Sequence, residues 1–222
     1  MDGLAGMKSK VLIFGSRGFL GSSLKRTFEN EDVDVLTFDR DTGNYSFDLK
    51  SHKIDAVVFA QGVNQSSGIQ GAGALLQSSF DANVGFIVER LEELQAHDCL
   101  APHASVVIIS SIWQKFSRAQ KLPYIVSKSA LEGLVKSLAF ELGESRRVNA
   151  VLPGVVESPM AFQALGAEAI SLIQAETPSQ SLVTATEISN LVLFLAFGGS
   201  SGVNGQSIVI DKGWTSNIRM PS

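Results

Sequence analysis

The chain has 222 residues, a formal charge of −4, 45% hydrophobic side chains and 18% charged ones. That balance excludes a disordered polymer, and the mildly acidic charge argues against nucleic acid or an anionic membrane as a partner, because both favour a broad positive field. Cys99 is the only cysteine, so no internal disulfide forms, and no apolar run approaches the ~20 residues that cross a bilayer. A cytoplasmic protein is expected, with Cys99 as a structural thiol. Met7 offers a second start, so Met1 to Gly6 read as a dispensable leader.

Strand-like and helix-like segments alternate along the chain. Lys10 to Phe14 is a short apolar run followed directly by Gly15, and Phe19 to Asn30 reads as a helix. Val33 to Phe38 is a second strand, ending at Asp39, and Tyr45 to Leu49 is a short third. Ala56 to Ala60 and Ser105 to Ile109 are two buried strands. Val148 to Leu152 and Ser207 to Ile210 complete the set. Helical patterns fill the gaps at Leu75 to Gln95, Tyr124 to Leu142 and Thr186 to Phe197. Near-continuous apolar strands separated by helices predict an α/β fold: a doubly wound parallel sheet of about seven strands with helices on both faces. No repeat or linker divides the chain, so residues 1–222 are expected to form a single domain. Val155 to Thr184, the least regular stretch, reads either as a flap over the site or as an ordinary long connection.

Gly15-Ser16-Arg17-Gly18-Phe19-Leu20-Gly21 lies between the first strand and the first helix. Glycine at Gly15 allows a tight turn, Gly18 lets the backbone approach a pyrophosphate, and Gly21 allows close helix–strand packing. The helix N-terminus then faces the phosphates with free N–H groups. A ligand-free tight turn is the plainer reading of the same spacing. Asp39 ends the second strand, where a carboxylate accepts hydrogen bonds from the adenosine ribose and favours NAD. Arg17 and Arg40 keep NADP open, because guanidinium groups hold a 2′-phosphate. Asp48, at the end of the third segment, is a candidate for the adenine amino group or a turn-forming residue.

Tyr124 and Lys128 are four apart at the start of a helix, on one face. A phenol is a poor base near neutrality, and a neighbouring ammonium is expected to lower its pKa. Tyr124 would then exchange a proton with an alcohol or carbonyl oxygen. Alone, this spacing also describes a solvated pair. Ser111, thirteen residues earlier, follows the strand Val106 to Ile109 at the carboxyl edge, where such sheets bind ligands, and its hydroxyl is placed to hold a substrate oxygen. Asn83, awkward inside a helix by propensity, is a candidate to hold a water linking Lys128 to solvent.

Taken together these residues resemble the short-chain dehydrogenase/reductase family, over roughly Lys10 to Trp214. The resemblance implies a catalytic tetrad of Asn83, Ser111, Tyr124 and Lys128. Asn83-Val-Gly85 is similar to the family's N-V-x-G motif. Val148-Asn-Ala-Val-Leu-Pro153-Gly154 is similar to the stretch whose backbone lines the nicotinamide, with Val156 offering backbone groups to the carboxamide. Ser158 falls where the family usually has a cofactor-bonding threonine, and Ile210-Asp-Lys-Gly213-Trp214 resembles the sequence that closes the last strand. The implied cofactor contacts are Gly15, Ser16, Arg17, Gly18, Phe19, Leu20, Asp39, Arg40, Asp48, Leu49, Ala60, Gln61, Gly62, Tyr124, Lys128, Pro153, Gly154, Val156 and Ser158, with no metal. The implied partner is a small alcohol or carbonyl substrate, and a homodimer or homotetramer is expected.

The chain departs from the family pattern in three places. Its glycines are spaced as in sugar-nucleotide-modifying relatives. The usual N-A-G after the fourth strand is Ala60-Gln61-Gly62. Only seven residues separate Arg40 from Asp48, so one crossover helix is expected to be missing. A sugar-nucleotide-modifying enzyme and a non-catalytic dinucleotide-binding sensor or scaffold are the alternative functions. Trp113, Phe116, Met160 and Phe162 are candidates for an apolar substrate pocket or for ordinary packing. Gln114, Lys115, Arg118 and Lys121 add polar groups to the loop before Tyr124.

Overall fold

The computed structural model describes residues 8–143, 146–197 and 199–216. The proposed leader, residues 1–6, and the side chain of Asp39 lie outside what is described. Among the described residues, seven strands form one sheet: β1 Lys10–Phe14, β2 Asp34–Asp39, β3 Asn44–Tyr45, β4 Ile54–Phe59, β5 Leu100–Ile109, β6 Arg147–Pro153 and β7 Ser207–Ile210. Their order is β3-β2-β1-β4-β5-β6-β7, and every pairing is parallel except β2 with β3. The helices are α1 Phe19–Asn30, α2 Ala72–Phe80, α3 Phe86–Ala96, α4 Leu122–Glu141, α5 Pro159–Glu176 and α6 Ala185–Phe197.

Side chains alternate across each strand, so a fully covered sheet needs apolar residues at every position. In β1, Leu12 and Phe14 face one side, where they pack with Ile87, Leu91 and Leu94 of α3 and with Leu131 and Val135 of α4. Val11 and Ile13 face the other, against Leu24 and Phe28 of α1 and Ile188, Val192 and Leu195 of α6. Each of these large side chains is almost wholly removed from water, worth about 1.5–3 kcal/mol apiece before conformational entropy is set against it. The doubly wound fold expected from the apolar pattern is the fold observed.

The predicted elements shift at their ends and in one case change kind. The helix expected over Leu75 to Gln95 is α2 and α3 joined by one π-helical turn at Asp81–Gly85, which contains Asn83. The irregular stretch after Gly154 contains α5, capped by the Ser158 hydroxyl and opened by Pro159, with a kink at Gly166 where φ is +79°. Its two feet are joined: Val156 bridges Val183, and Glu157 N–H donates to the Val183 carbonyl at 2.8 Å. Residues between them leave the sheet and return to the same place.

The third strand is the larger correction. It is not a parallel strand over Tyr45 to Leu49 but a two-residue strand running back along β2, with Phe38 opposite Tyr45 and Asp39 opposite Asn44. Such a hairpin returns the chain to the amino-terminal edge of the sheet. From there it can enter β4 directly, whereas a parallel third strand would need a helical crossover. The expected missing crossover helix is thereby explained. A short 3₁₀ turn, Leu49–Ser51, is all that stands in its place.

Candidate active site

The carboxyl edge of the sheet carries two cavities, of about 340 Å³ and about 170 Å³. The larger is bordered by Gly18, Phe19 and Leu20 at the start of α1, by Ala60, Gln61 and Gly62 after β4, by Ser110 and Ser111 after β5, by Tyr124 and Lys128 of α4, and by Pro153, Gly154, Val156 and Ser158 after β6. The smaller is bordered by Gly15, Ser16, Arg17, Phe38, Arg40, Asp41, Gln61 and Phe86. The sites expected from the glycine loop, from Arg40, from the segment after β4 and from the segment after β6 therefore meet at one edge.

Backbone proximity explains the glycines. Gly15 has φ of +82°, and a Cβ there would lie 2.7 Å from the Gln61 nitrogen. A Cβ on Gly21 would lie 2.0 Å from the Gly15 carbonyl oxygen, so α1 can approach the loop only without a side chain. Gly18 N–H donates back to the Gly15 carbonyl at 3.0 Å and closes the turn. At Gly62 a Cβ would meet Asn83 Oδ1 at 2.8 Å, and at Gly154 it would meet Asp211 Cβ at 2.7 Å. The Asp211 carboxylate caps the end of β7, accepting from the Gly213 and Thr215 backbone N–H groups.

Two expected contacts are not at this edge. Because β3 runs backwards, Asp48 and Leu49 are carried towards the amino-terminal edge. Asp48 accepts from Lys50 N–H as a turn cap, and the Leu49 carbonyl accepts from the Cys99 thiol beside the start of β5. Neither borders either of these two cavities. The expectation for the Asp39 carboxylate falls on a side chain outside the described residues.

Tyr124 and Lys128 lie one turn apart on α4, and the Lys128 ammonium sits 5.9 Å from the centroid of the Tyr124 ring. The ammonium is buried and donates to the Ile109 carbonyl at 3.1 Å. Burial pulls the Lys128 pKa down to about 8. The Tyr124 phenol is shifted the opposite way from the expectation: burial raises it above its ordinary value, and a hydrogen bond with the Ser111 hydroxyl opposes that rise. The ammonium lies against the ring and is anchored to a backbone carbonyl. Desolvation of the phenolate is therefore the larger effect.

The Asn83 side chain is committed to protein partners. Its Oδ1 accepts from Val63 N–H at 2.8 Å, and its Nδ2 donates to the Val63 carbonyl at 3.1 Å and to Ser127 Oγ at 2.8 Å. The amide thus clamps the segment after β4 to α4, one residue from Lys128. The π-helical turn holds Asn83 here, and such turns recur at functional sites.

Ser111 caps the 3₁₀ turn Ile112–Gln114, and the buried Gln114 joins Ser110 to Ser207 of β7 at 2.8 and 2.9 Å. Gln114 is therefore a brace under the serine loop and not a solvent-facing group. Of the four apolar candidates for a substrate pocket, only Met160 borders the larger cavity. Phe116 and Phe162 are exposed. Residues given no site role from the sequence are Val63, Asn64, Ile109 and Ser110 on the larger cavity and Phe38, Asp41 and Phe86 on the smaller. Phe86 follows the Asn83-Val-Gly85 motif directly, and Phe38 precedes Asp39, so both had neighbours that pointed to them.

Comparison with known proteins accords with this arrangement. Residues 48–215 match the family model described as enoyl-(acyl carrier protein) reductase. A short-chain dehydrogenase/reductase (SDRA) of Arabidopsis thaliana is 31% identical over 172 residues, 76% of this chain and 67% of that protein. An uncharacterised oxidoreductase (YmfI) of Bacillus subtilis is 26% identical over 241 residues, 94% of this chain and 99% of its own. The ligand-free aldohexose dehydrogenase of Thermoplasma acidophilum superposes with a TM-score of 0.83 at 22% identity, covering 97% of each chain. The chain belongs to the short-chain dehydrogenase/reductase family of NAD(P)-dependent oxidoreductases.

Proposed function

We propose that the protein interconverts a small alcohol and its carbonyl compound, with Tyr124 exchanging the proton. The observation that carries this reading is the convergence of the Ser111 hydroxyl, the Tyr124 phenol and the Lys128 ammonium on one wall of the larger cavity. A nicotinamide dinucleotide suits the rest of the edge. Glycines stand where a Cβ would strike backbone, and the N-terminus of α1 opens at Gly18 beside the larger cavity. NAD is favoured over NADP by the end of β2 at Asp39, while Arg17 and Arg40 on the smaller cavity are the groups that a 2′-phosphate would use.

The dinucleotide, when bound, supplies or accepts the hydride. Gly15 to Leu20 would hold its phosphates, and Ala60 to Gly62 and Pro153 to Ser158 would border the rest of it. Ser111 donates to the substrate oxygen and keeps it beside the phenol. In the reducing direction the neutral phenol of Tyr124 gives its proton to that oxygen, and in the oxidising direction the phenolate removes it. Lys128 places a positive charge behind the ring, so the phenolate formed in oxidation is not left alone in a dry site. Asn83 holds the position of α4 and of the segment after β4. The substrate sits between Val63, Asn64 and Met160, a wall that is apolar with one amide. Exposed Phe80, Val88 and Phe140 on α2, α3 and α4 support assembly into a homodimer or homotetramer, and the buried thiol of Cys99 suits the cytoplasm.

The test is calorimetric titration with NADH and NADPH, followed by a panel of alcohols and ketones. Binding of NADH tighter than NADPH is expected, with turnover of at least one substrate. The proposal fails if neither dinucleotide binds, or if Tyr124→Phe turns over that substrate as fast as the parent protein.

A further inference from the structure

The two segments that meet beside Tyr124 carry cations and no acids. Neither residues 56–80 nor residues 99–131 contain an aspartate or glutamate, and no residue bordering the larger cavity bears a carboxylate. In the second segment, Lys121 stands just before α4, three residues ahead of Tyr124. Its ammonium donates to Asn64 Oδ1 at 2.8 Å and to Ser66 Oγ at 2.6 Å. Beside it, Leu122 N–H donates to the Ser67 carbonyl at 3.1 Å. Asn64 itself borders the larger cavity, so Lys121 lies one hydrogen bond behind the cavity wall.

Tethering this loop does not need a charge, because a neutral donor would serve the same acceptors. An ammonium has three donors, and Asn64 and Ser66 account for two of them. Neither Lys121 nor Arg118 forms an ion pair among the described residues. The charge that acts on Lys121 is that of Arg118, and it repels; burial first, and then this repulsion, lower the lysine's pKa. Lys115, the third cation of the loop, acts on Glu132 instead. Two like charges are thus held close together, one of them half-buried, and an anion beside them would relieve both.

We propose that the substrate carries an anionic group, a carboxylate or a phosphate, which Lys121 and Arg118 bind while the reacting oxygen lies at Ser111 and Tyr124. The inference rests on the alcohol–carbonyl reading above and adds the substrate's charge to it. Exposed Arg118 draws the anion in, and a cavity wall without carboxylates does not oppose it. Lys121 then gives the anion a charge-assisted hydrogen bond and keeps Asn64 in place through its other donors. A neutral carbonyl compound would leave both cations unanswered.

The experiment measures reduction of matched pairs with whichever dinucleotide the protein binds. Pyruvate, acetoacetate and levulinate are set against their methyl esters, and dihydroxyacetone phosphate against dihydroxyacetone. The parent should favour the charged member of at least one pair by roughly tenfold in kcat/KM, the worth of one charge-assisted hydrogen bond. The carboxylate and phosphate pairs tell which anion is taken. Lys121→Gln should bring that ratio near one through the KM of the charged substrate alone, and Lys121→Arg should keep most of the preference. Arg118→Gln, at an exposed position, should lower the ratio by less, and added salt should lower it in the parent. A parent that reduces neutral carbonyl compounds as well as or better than the charged ones overturns the proposal. So does a ratio that Lys121→Gln leaves unchanged, and so does an equal loss of both members, which would leave the lysine a loop tether only. If the parent turns over no alcohol or ketone at all, the oxidoreductase reading itself is what fails.

Discussion

Asn83 donates to Ser127 through a 2.8 Å hydrogen bond inside the protein, and Ser127 precedes the lysine that faces Tyr124. The same amide exchanges two hydrogen bonds with the backbone of Val63. Replacing it strands several buried polar groups at once. Asn83→Leu should therefore cost about 2–4 kcal/mol of stability, measured by urea unfolding, in addition to any loss of turnover. A stability equal to the parent's would mean that the clamp is not formed in solution.

Tyr124→Phe should behave in the opposite way. The phenol is buried beside the Ser111 hydroxyl, so removing one oxygen changes little packing. Turnover should fall by about 10²–10⁴-fold, the span of general acid–base catalysis, while NADH affinity stays within a factor of about three. Parallel losses in affinity and turnover would instead place Tyr124 in binding.

Lys128 is held at a cost to the fold. Its folded pKa, about 8, lies below the 10.5 of the unfolded chain, so between those values the unfolded state binds more protons. Stability from this group should rise with pH across that window and carry its full penalty below about pH 8. Lys128→Met should make the ligand-free protein more stable at pH 7, by on the order of 1–3 kcal/mol, and should abolish most turnover. The gain should shrink as pH rises towards 10. A variant that is less stable at pH 7 would show that the Ile109 contact outweighs desolvation.

The two directions of reaction should depend on pH differently. Reduction needs the neutral phenol, which the raised pKa of Tyr124 preserves across the neutral range. Its kcat/KM should be level from about pH 6 to 8 and decline beyond, as Lys128 loses its charge. Oxidation needs the phenolate and should climb with pH over the same interval. Rate profiles in both directions check this, and a reduction rate that climbs with pH would exclude Tyr124 as the acid.

Gly62→Ala should test the clamp from the other side. The added methyl would meet Asn83 Oδ1 at 2.8 Å and the Lys128 ammonium at 3.5 Å. Both the melting temperature and dinucleotide affinity should drop. Gly73→Ala, where a Cβ meets nothing within 4 Å, is the matched control and should raise helix stability slightly. Equal behaviour of the two variants would mean that the contact at Gly62 is relieved by repacking.

What the sequence disclosed follows from how local each signal is. The glycine loop from Gly15 to Gly21 and the strand before it are continuous in sequence, and they fold where their pattern places them. Ser111, Tyr124 and Lys128 lie within eighteen residues and reach one wall through a strand end and a helix start. Asp48 is out of place because the alternation of Tyr45-Ser-Phe-Asp-Leu49 marks a half-covered strand without giving its direction. The shortness of the connection pointed to the lost helix, also without giving the direction of the strand. Lys121 reads as one polar group of its loop, since its acceptors Asn64 and Ser66 are neighbours in space and not in sequence. The shift of Tyr124 was also out of reach: it depends on how dry the ring is, which a spacing of four residues does not report.

The reversed β3 has a further effect at the rim of the sheet. A parallel sheet normally ends in a strand whose outer backbone groups invite another chain to pair. Here the outermost strand is two residues long and runs against the rest. So short an edge gives an incoming strand very little ladder to extend, and it occupies the carboxyl end of β2 at Phe38 and Asp39. The hairpin that shortens the adenosine side of the fold thus also guards that margin against strand-to-strand aggregation.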